Sequence, residues 1–445
     1  MSQNSYITIE TSPALNGTVE LNGAKNAVLV IIASLLLTKG KSRLLNVPAS
    51  DDILHMIKLM QSLGAEVFFH PQEHILEIDT STVSKWQVSA EIMKKMRASI
   101  LVMGPLLARF GKADIAIPGG CVIGSRPIDY HLKNFKKMGA VIDECGDYLT
   151  ARADLLHAQR IVLEYPSVGA TENIMMAAVL TPDSTTIVNA ALEPEVLDLI
   201  TVLKKMGAHI TIDAPATLII QGVGALQPIE HAIIPDRLEA GALLVAAAIT
   251  GGTVHLPQAL AFAMDVFLLK LEEMGHEISV GPQGIGITLK ACKEPRAVSF
   301  KTSPYPGFPT DLQAPLSAAL CLAQGTSIIE ETVFENRLLH VRELQKMGAQ
   351  IKVEHNKAII TGVDKLYSAS VIATDIRASC ALVLAGFVAQ GTTIMTGIHH
   401  WTRGYDGLEH KLTLLGASIK RYTEQEDVQL SYAKSEMPIT EIQRN

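Results

Sequence analysis

The hydrophobic and polar positions of this chain follow one pattern six times. A charged amphipathic stretch closes on Leu-Gly or Met-Gly, and an extended segment follows it. The glycines that close these stretches recur every 68 to 75 residues, at Gly64, Gly139, Gly207, Gly275, Gly348 and Gly416. A period of about 70 residues is too long for an ordinary solenoid repeat and long enough for a small α/β subdomain. The pattern therefore predicts six related α/β units.

Each unit contains a second helix, which is apolar on nearly every side. A helix of this kind is buried on most of its faces. The six predicted buried helices are 24–38, 97–110, 171–180, 237–250, 312–324 and 377–390. Alternating strands are predicted after four of them, at 42–45, 253–256, 326–329 and 392–395. Each unit is thus predicted to hold several strands, one buried helix and one half-exposed helix.

The length of 445 residues favours two domains, so three units per domain is the economical arrangement. The third unit closes near Gly222, and the fourth buried helix opens at 235–237. We therefore predict the domain change near residue 234. The segment 431–445 extends past the last repeat and is polar, so we expect it to form a loose tail.

Composition and charge exclude several classes of protein. Hydrophobic residues make up 48% of the chain, which is enough for large cores, and the net charge of −7 argues against nonspecific binding to nucleic acid or to anionic membranes. No uninterrupted apolar run reaches the length of a membrane span, and no signal peptide is apparent. The five cysteines are scattered without CxxC spacing, which predicts a reducing cytoplasm and neither a disulfide framework nor a metal site.

The predicted buried helices begin with polar turns, and several of these turns carry a cation, among them Lys25, Arg97 and Arg377. Ser, Thr and Asp at a helix start act as caps, but a cation there opposes the positive end of the helix dipole. One interpretation is that several helix N-termini face a shared cleft that holds an anion. The other is that these cations pair with nearby Asp or Glu residues.

The segment 118–127 holds three glycines within six positions, together with Cys121 and Arg126. A positive neighbour and an exposed position both favour a thiolate, so Cys121 is either a reactive cysteine or an ordinary one. No GxSxG, phosphate-loop, dinucleotide-binding or HExxH motif is present. From the residues alone, we predict an α/β enzyme of six units that uses a cysteine and several cations on a phosphorylated substrate.

The chain resembles the UDP-N-acetylglucosamine 1-carboxyvinyltransferases, a family of enolpyruvyl transferases, from about residue 7 to residue 422. The motifs that carry the resemblance are 21–26, 96–99, 118–127, 166–173, 235–237, 308–311, 331–337, 375–379 and 403–405. The loop 118–127 is the specific one, because the related enzymes that act on shikimate 3-phosphate share the six units but lack this loop.

The resemblance implies a pair of inside-out α/β domains, each of three repeated units, with the active site in the cleft between them. It places the domains at 24–234 and at 1–23 plus 235–430. The implied reaction transfers the enolpyruvyl group of phosphoenolpyruvate to the 3′-hydroxyl of UDP-N-acetylglucosamine and releases phosphate. It needs no cofactor and no metal, and it begins peptidoglycan synthesis, with consequences for cell-wall biogenesis, cell shape, division and the cell cycle.

The resemblance also implies roles for individual residues. Cys121 is expected to be the proton donor and the atom that fosfomycin-type epoxides alkylate, and Asp311 the base on the sugar hydroxyl. Lys25, Arg126 and Arg403 are expected to clamp phosphoenolpyruvate, with Asn26 positioning substrate and Arg337 and Arg377 adding positive potential. The expected contacts to the UDP-sugar are Arg97, Arg126, Pro127, Ile128, Asp129, Tyr130, Tyr165, Pro166, Ser167, Val168, Asp311 and Val333.

Two positions depart from the family pattern. Leu101 stands where many members have Trp, and Thr402 replaces an Asp next to Arg403, which questions the orientation of that arginine. Two alternatives to the implied activity stay open: enolpyruvyl transfer to shikimate 3-phosphate, and a noncatalytic protein that binds UDP-sugar. The oligomeric state has no signature in the sequence.

Overall fold

The computed structural model describes residues 5–117, 123–124 and 128–422, and helices alternate with strands through this part. Six helices of the described residues are buried on most sides, and we call them inner helices: Lys25–Ser34, Met103–Phe110, Val168–Ala178, Arg237–Thr250, Thr310–Leu320 and Ile376–Gly386. Six outer helices bury one face each: Asp51–Leu63, Asp129–Lys137, Pro194–Lys205, Asp265–Glu273, His340–Lys346 and Leu408–Leu414. The shorter helical segments are Leu35–Leu37, Ala90–Met93, Arg97–Val102, Ala261–Ala263, Pro282–Gly284 and His399–Gly404. Among these helices, none is long and apolar enough to cross a membrane.

The strands of the described residues form six four-stranded sheets with one common pattern. An edge strand lies parallel to the second strand, and the second, third and fourth strands are antiparallel to their neighbours. In spatial order, three sheets are Glu230–Ala232, Lys41–Leu45, Ile75–Asp79 and Glu66–His70; Gln87–Val88, Lys112–Ala116, Tyr148–Arg152 and Val141–Cys145; and Arg160–Val162, Ser184–Val188, Thr217–Gln221 and His209–Asp213. The other three are Asn16–Thr18, Thr253–Leu260, Ile285–Lys290 and Glu277–Val280; Phe300–Lys301, Thr326–Glu330, Lys357–Thr361 and Gln350–Glu354; and Ser370–Ile372, Thr392–Thr396, Tyr6–Glu10 and Ile419–Tyr422. A small two-stranded sheet joins Leu366–Tyr367 to Ala389–Gln390.

The parallel edge strands close each set of three units into a ring. The strand Glu230–Ala232 follows the third unit and pairs with Lys41–Leu45 of the first unit. In the second ring, Tyr6–Glu10 lies between the strands Thr392–Thr396 and Ile419–Tyr422, and Asn16–Thr18 then pairs with the fourth unit. The N-terminal segment therefore completes the sixth unit and closes the second ring, which confirms the predicted architecture of six α/β units in two domains.

All six glycines of the sequence repeat end an outer helix in the same way. Each has a positive φ, between +89° at Gly348 and +107° at Gly207 and Gly416. In each unit the N–H of the residue after the glycine donates to the carbonyl five residues earlier, as Ala208 does to Leu203 at 2.9 Å. This is the Schellman closure, which satisfies a free carbonyl of the last helical turn and requires a left-handed residue. The repeat in the sequence is thus a repeated helix stop.

Two separate hydrophobic cores lie behind the sheets, around the inner helices. One core is built from residues between Ala24 and Ile233, and the other from Ile7–Leu21 together with residues between Leu238 and Ile419. The chain crosses from one core to the other near Ala24 and again near Ile234. The two crossings lie side by side, since the Ala24 N–H donates to the Ile234 carbonyl at 2.8 Å. The exact domain bounds remain a prediction that rests on these cores.

The helix predictions were right in number but wrong in several bounds. The second buried helix begins as a 3-10 segment, Arg97–Val102, because the Ser99 hydroxyl donates to the Met93 and Met96 carbonyls. The third begins at Val168, three residues before its predicted start, because Ser167 caps it. The last ends at Gly386, since Ala389–Gln390 forms a strand instead of a further helical turn.

We predict that Gly207→Ala lowers the free energy of unfolding by about 1 to 2 kcal/mol, the cost of a left-handed backbone for an L-residue. A Cβ at Gly207 has open space around it, so the φ of +107° is the source of the strain. Urea unfolding followed by circular dichroism measures the change. Gly224→Ala is the matched control, because Gly224 has equally open space and lies outside the positive-φ region. Equal unfolding midpoints for the two variants would show that backbone conformation at the helix stop does not matter.

Candidate active site

Lys25 is buried at the start of the first inner helix, where its ammonium donates to Asp52 Oδ2 at 3.1 Å. The helix places it there because its N-cap residue, Ala24, follows the crossing between the two domains. Asn26 lies beside it and is exposed on the same first turn. Asn26, which was predicted to position substrate, is therefore open to a ligand, while the predicted clamp residue Lys25 already has a partner.

Asp52 joins the two domains by accepting from both of them. Its Oδ1 accepts from Arg403 Nε at 2.9 Å, so one carboxylate bridges Lys25 of the first domain and Arg403 of the second. Burial would raise the Asp52 pKa, but the charges of Lys25 and Arg403 outweigh it and hold the pKa below its ordinary value of 3.8. The sequence questioned the orientation of Arg403. In the structure Arg403 points at Asp52, and the neighbouring Thr402 hydroxyl donates to Asp51 at 2.6 Å.

Asp311 lies on the first turn of the inner helix Thr310–Leu320 and accepts from two guanidinium groups. Arg337 Nη2 donates to Oδ1 at 2.6 Å, and Arg377 Nη2 donates to Oδ2 at 3.2 Å. Both arginine side chains are nearly fully buried, whereas 26% of the Asp311 side chain is accessible. Tyr405 fixes Arg377 from the other side, because its hydroxyl accepts from Arg377 Nη1 at 3.0 Å.

The electrostatics around Asp311 keep it ionised. Burial acts to raise its pKa, but Arg377 first, then Arg337 and Lys25, hold the pKa far below its ordinary value. The charge of Lys25, which is paired with Asp52, therefore acts on Asp311 as well. Together these groups comprise four cations, Lys25, Arg337, Arg377 and Arg403, against two carboxylates, Asp52 and Asp311.

The sequence left open whether the cations at the helix starts bind an anion or pair with carboxylates. For Lys25 and Arg377 the structure shows pairing, with Asp52 and Asp311. Two inner helices are also capped by their own aspartates, Asp236 and Asp375. By contrast, the N-cap residues of the helices that carry Lys25 and Asp311 make no side-chain cap, although the Lys25 N–H donates to Asp236 Oδ2 at 3.4 Å.

The residues predicted to contact the sugar nucleotide in the first domain are held together by one buried amide. Asn173 Nδ2 donates to the Ile100 carbonyl in the segment of Arg97, and to His131 Nδ1 at 3.0 Å in the helix that begins at Asp129. Asn173 itself lies on the helix that follows Tyr165–Ser167. Asn173 therefore connects the segments that carry the predicted contacts Arg97, 128–130 and 165–168.

In the sequence, His131 stands at the polar start of an amphipathic helix, which predicts a surface position, but the structure buries it. Its side chain is 6% exposed, because it packs beneath Gly169 and against Asn173. Burial, with a smaller contribution from the charge of Arg97, lowers the His131 pKa to about 4. The ring is thus neutral at neutral pH and acts as a hydrogen-bonding support.

Cys121, Arg126 and Pro127 lie outside the described residues, so their predicted roles stay predictions. Two residues between them are described. The Ile123 carbonyl accepts from the Asn336 N–H at 2.9 Å, and a Cβ at Gly124 would collide with Glu335. This part of the segment therefore contacts the second domain between Val333 and Arg337.

The sequence analysis missed three supporting residues: Asp52, Asn173 and Glu331. Each is buried and accepts or donates several hydrogen bonds beside a predicted site residue. Asp52 follows the capping residue Ser50, so in the sequence it looks like an ordinary first-turn acid. Among the described residues, no group of His, Cys, Asp and Glu has the arrangement of a metal site.

Comparison with known proteins gives the same fold and a specific group of relatives. A family model described as EPSP synthase (3-phosphoshikimate 1-carboxyvinyltransferase) matches residues 9–412. The UDP-N-acetylglucosamine 1-carboxyvinyltransferase 1 of Caldanaerobacter subterraneus is 49% identical over 93% of this chain and 98% of its own length. The UDP-N-acetylglucosamine 1-carboxyvinyltransferase of Saccharophagus degradans is 46% identical over 93% of this chain and 99% of its own length.

Solved structures support the fold at lower identity. The enolpyruvyl transferase NikO from Streptomyces tendae superposes with a TM-score of 0.86 at 24% identity, covering 94% of this chain and 99% of that one. An EPSP synthase from Acinetobacter baumannii gives 0.75 at 17% identity, covering 94% and 100%. The fold is therefore that of the enolpyruvyl transferases. At the level of the closer relatives, the chain belongs to the UDP-N-acetylglucosamine 1-carboxyvinyltransferase family.

We predict that Asp52→Asn lowers the free energy of unfolding by about 3 kcal/mol or more, because it leaves two cations without their shared carboxylate. Urea unfolding at pH 7 measures the loss. Asp51→Asn is the control, since Asp51 accepts from a hydroxyl only, and its loss is expected to stay below about 1 kcal/mol.

The pH dependence adds a second test. The pKa of Asp52 is depressed in the folded chain, so its contribution is present above its ordinary pKa of 3.8 and is lost as the pH falls through the folded value. The difference between wild type and Asp52→Asn should therefore be constant from neutral pH down to about pH 5. A difference that disappears between pH 7 and pH 5 would contradict this assignment.

Proposed function

We propose that this protein transfers the enolpyruvyl group of phosphoenolpyruvate to the 3′-hydroxyl of UDP-N-acetylglucosamine and releases phosphate. The observation that carries the proposal is the arrangement around Asp311, whose carboxylate accepts from two buried guanidinium groups and is influenced by the charge of Lys25. The names of relatives at 44 to 49% identity point to the same reaction. The reaction makes this protein an enzyme of peptidoglycan synthesis.

The reaction is an addition followed by an elimination, and each step places charge in the cleft. The vinyl carbon of phosphoenolpyruvate gains a proton while the sugar oxygen loses its own proton and attacks the neighbouring carbon. The C–O bond to phosphate then breaks as the new methyl group loses a proton, which restores the vinyl group. Cations that are already in place stabilise the phosphate and the carboxylate of the donor. We assign this task to Lys25 and Arg403, with Arg126, and we assign to Asn26 the positioning of the substrate.

In the absence of substrate, Asp52 takes the place of the anion between Lys25 and Arg403. A bound phosphate would compete for the same two cations. The N-cap residue of the helix that carries Lys25 makes no side-chain cap, and the Lys25 N–H donates to Asp236 Oδ2 at 3.4 Å, so this helix supports the phosphate through the positive end of its dipole. The proposed site for phosphoenolpyruvate is therefore present before substrate binds, and the substrate must displace the Asp52 carboxylate from its two cations.

Asp311 is the residue we assign as base for the sugar hydroxyl. In the absence of substrate its depressed pKa keeps it ionised but makes it a weak base. A donor that carries both a phosphate and a carboxylate would share the positive charge of Lys25 and Arg377. Its binding would raise the Asp311 pKa and strengthen the base when both substrates are present.

We assign proton donation to Cys121, on the resemblance of the segment 118–127 to the family loop. The remaining sugar contacts are assigned as predicted, at Arg97, 126–130, 165–168 and Val333. We further propose that the protein works in the cytoplasm and so contributes to cell shape and division. All four described cysteines are free thiols, as expected in a reducing compartment.

The substrate assignment is tested by phosphate release from the purified protein. We expect release that requires both phosphoenolpyruvate and UDP-N-acetylglucosamine, and none with shikimate 3-phosphate as acceptor. Release with shikimate 3-phosphate alone as acceptor would replace our proposal with the other enolpyruvyl transfer. No release with either acceptor, together with tight binding of the UDP-sugar, would indicate a binding protein.

The acid role is tested by Cys121→Ser, which we expect to lower kcat by about 10² to 10⁴, the usual contribution of general acid catalysis. Binding of UDP-N-acetylglucosamine, measured by calorimetry, should stay within about twofold of wild type, since the thiol acts on the other substrate. Cys145→Ser is the control, because Cys145 is an exposed free cysteine. Full activity of Cys121→Ser would remove the thiol from the mechanism.

A further inference from the structure

Glu331 is a buried carboxylate that accepts from four donors. It is 2% exposed and follows the strand Thr326–Glu330. Its Oε1 accepts from the Thr302 hydroxyl at 2.9 Å and from the backbone N–H groups of Val333 and Phe334 at 2.8 and 3.2 Å. Its Oε2 accepts from the Thr310 hydroxyl at 2.9 Å.

Two of the four donors are backbone N–H groups, which can only donate, and the other two are threonine hydroxyls. Within the described part of the chain, Glu331 has no ion-pair partner, so these four hydrogen bonds satisfy its buried oxygens. Each bond is costly to lose, because a buried polar atom without a partner is no longer solvated.

The four bonds connect the two segments that present Asp311 and Val333. Thr310 is the first residue of the helix Thr310–Leu320, and Asp311 follows it directly. The Thr310 hydroxyl donates to Glu331. On the other side, the N–H of Val333 is fixed to the same carboxylate. The segment 333–337 then returns to Asp311, because Arg337 donates to Asp311 Oδ1.

These contacts form a closed circuit from Asp311 through Thr310, Glu331 and 333–337 back to Asp311. The backbone around Glu331 is held by further hydrogen bonds. The Thr302 hydroxyl accepts from the Thr332 N–H at 2.9 Å, and the Glu331 backbone pairs with Asn356. Asn336 in the same segment contacts Ile123 of the first domain. A single side chain therefore sets the distance between the assigned base and the assigned sugar contact.

We propose that Glu331 is a positioning residue for the acceptor substrate, which holds Asp311 and Val333 at the spacing that the sugar of UDP-N-acetylglucosamine requires. The inference rests on the proposed function, since it takes its acceptor from there. Glu331 does not touch the donor cations Lys25 and Arg403, which are bridged by Asp52. Its loss should therefore affect the acceptor and leave the donor unaffected.

The sharpest variant is Thr310→Val, which removes one donor, keeps the shape and leaves the other three bonds to Glu331. A hydrogen bond to a charged group contributes enough to expect a change on the order of tenfold. We expect Thr310→Val and Glu331→Gln each to raise the Kd and KM of UDP-N-acetylglucosamine about tenfold. The KM of phosphoenolpyruvate should stay within about twofold.

The double variant separates positioning from general stability. If both residues act through one bond, the double variant should bind the sugar nucleotide about as weakly as either single variant. Glu330→Gln is the matched control, because Glu330 is adjacent but lies beside Lys357 at 3.8 Å on the surface of the sheet. Calorimetry, steady-state kinetics and a thermal unfolding midpoint are recorded for each variant.

The outcomes distinguish this inference from the proposed function. If wild type neither binds nor turns over UDP-N-acetylglucosamine, the proposed function fails. If wild type is active but the two single variants bind the sugar nucleotide normally, the inference is overturned. It is also overturned if the KM values of both substrates rise together with a lowered unfolding midpoint, since Glu331 would then only stabilise the fold.

Discussion

The cleft depends on one buried carboxylate that two domains share. Asp52 accepts from Lys25 at 3.1 Å and from Arg403 at 2.9 Å, and these cations come from opposite ends of the chain. Two positive groups this close would repel each other without an anion between them. In the structure that anion is internal, and in the proposed reaction it is the donor. The same interaction thus connects the domains and, in the proposed reaction, lies where the donor binds.

The scaffold explains why these distant residues meet. Each domain is a ring of three units, closed by an edge strand that the preceding unit supplies. The inner helices lie at the centre of each ring, and the starts of the helices that carry Lys25 and Asp311 face the same charged cleft. A chemistry that needs several fixed cations and one base can therefore be assembled from single residues on separate helices. Glu331 adds a local device on this scaffold, since it ties the base to a neighbouring substrate contact.

The sequence predicted most of the fold because its signals are local. The periodicity of the sequence indicates six apolar helices and six glycines at helix ends. All six of these glycines adopt the positive φ that a helix stop needs. The completion of the sixth unit by Tyr6–Glu10 has no local signal, since it depends on pairing with strands about 400 residues away. The predicted bounds near Arg97 and after Gly386 were wrong because Ser99 and the strand Ala389–Gln390 compete with the helix.

The site was predictable in its cations and not in its supports. Lys25, Arg377 and Arg403 stand out as charges at apolar helices or in a basic turn, and Arg337 was expected from the family resemblance. Their carboxylate and amide partners, Asp52, Asn173 and Glu331, resemble common capping or surface residues until the fold buries them.

The most direct test of the central claim is intact-mass analysis of the protein after exposure to fosfomycin, with and without UDP-N-acetylglucosamine. The claim is that a thiol, the cations and the sugar site share one cleft. We predict a single adduct on Cys121 that forms faster when the sugar nucleotide is bound. Labelling of several cysteines at rates that ignore the sugar nucleotide, or no labelling at all, would contradict the account.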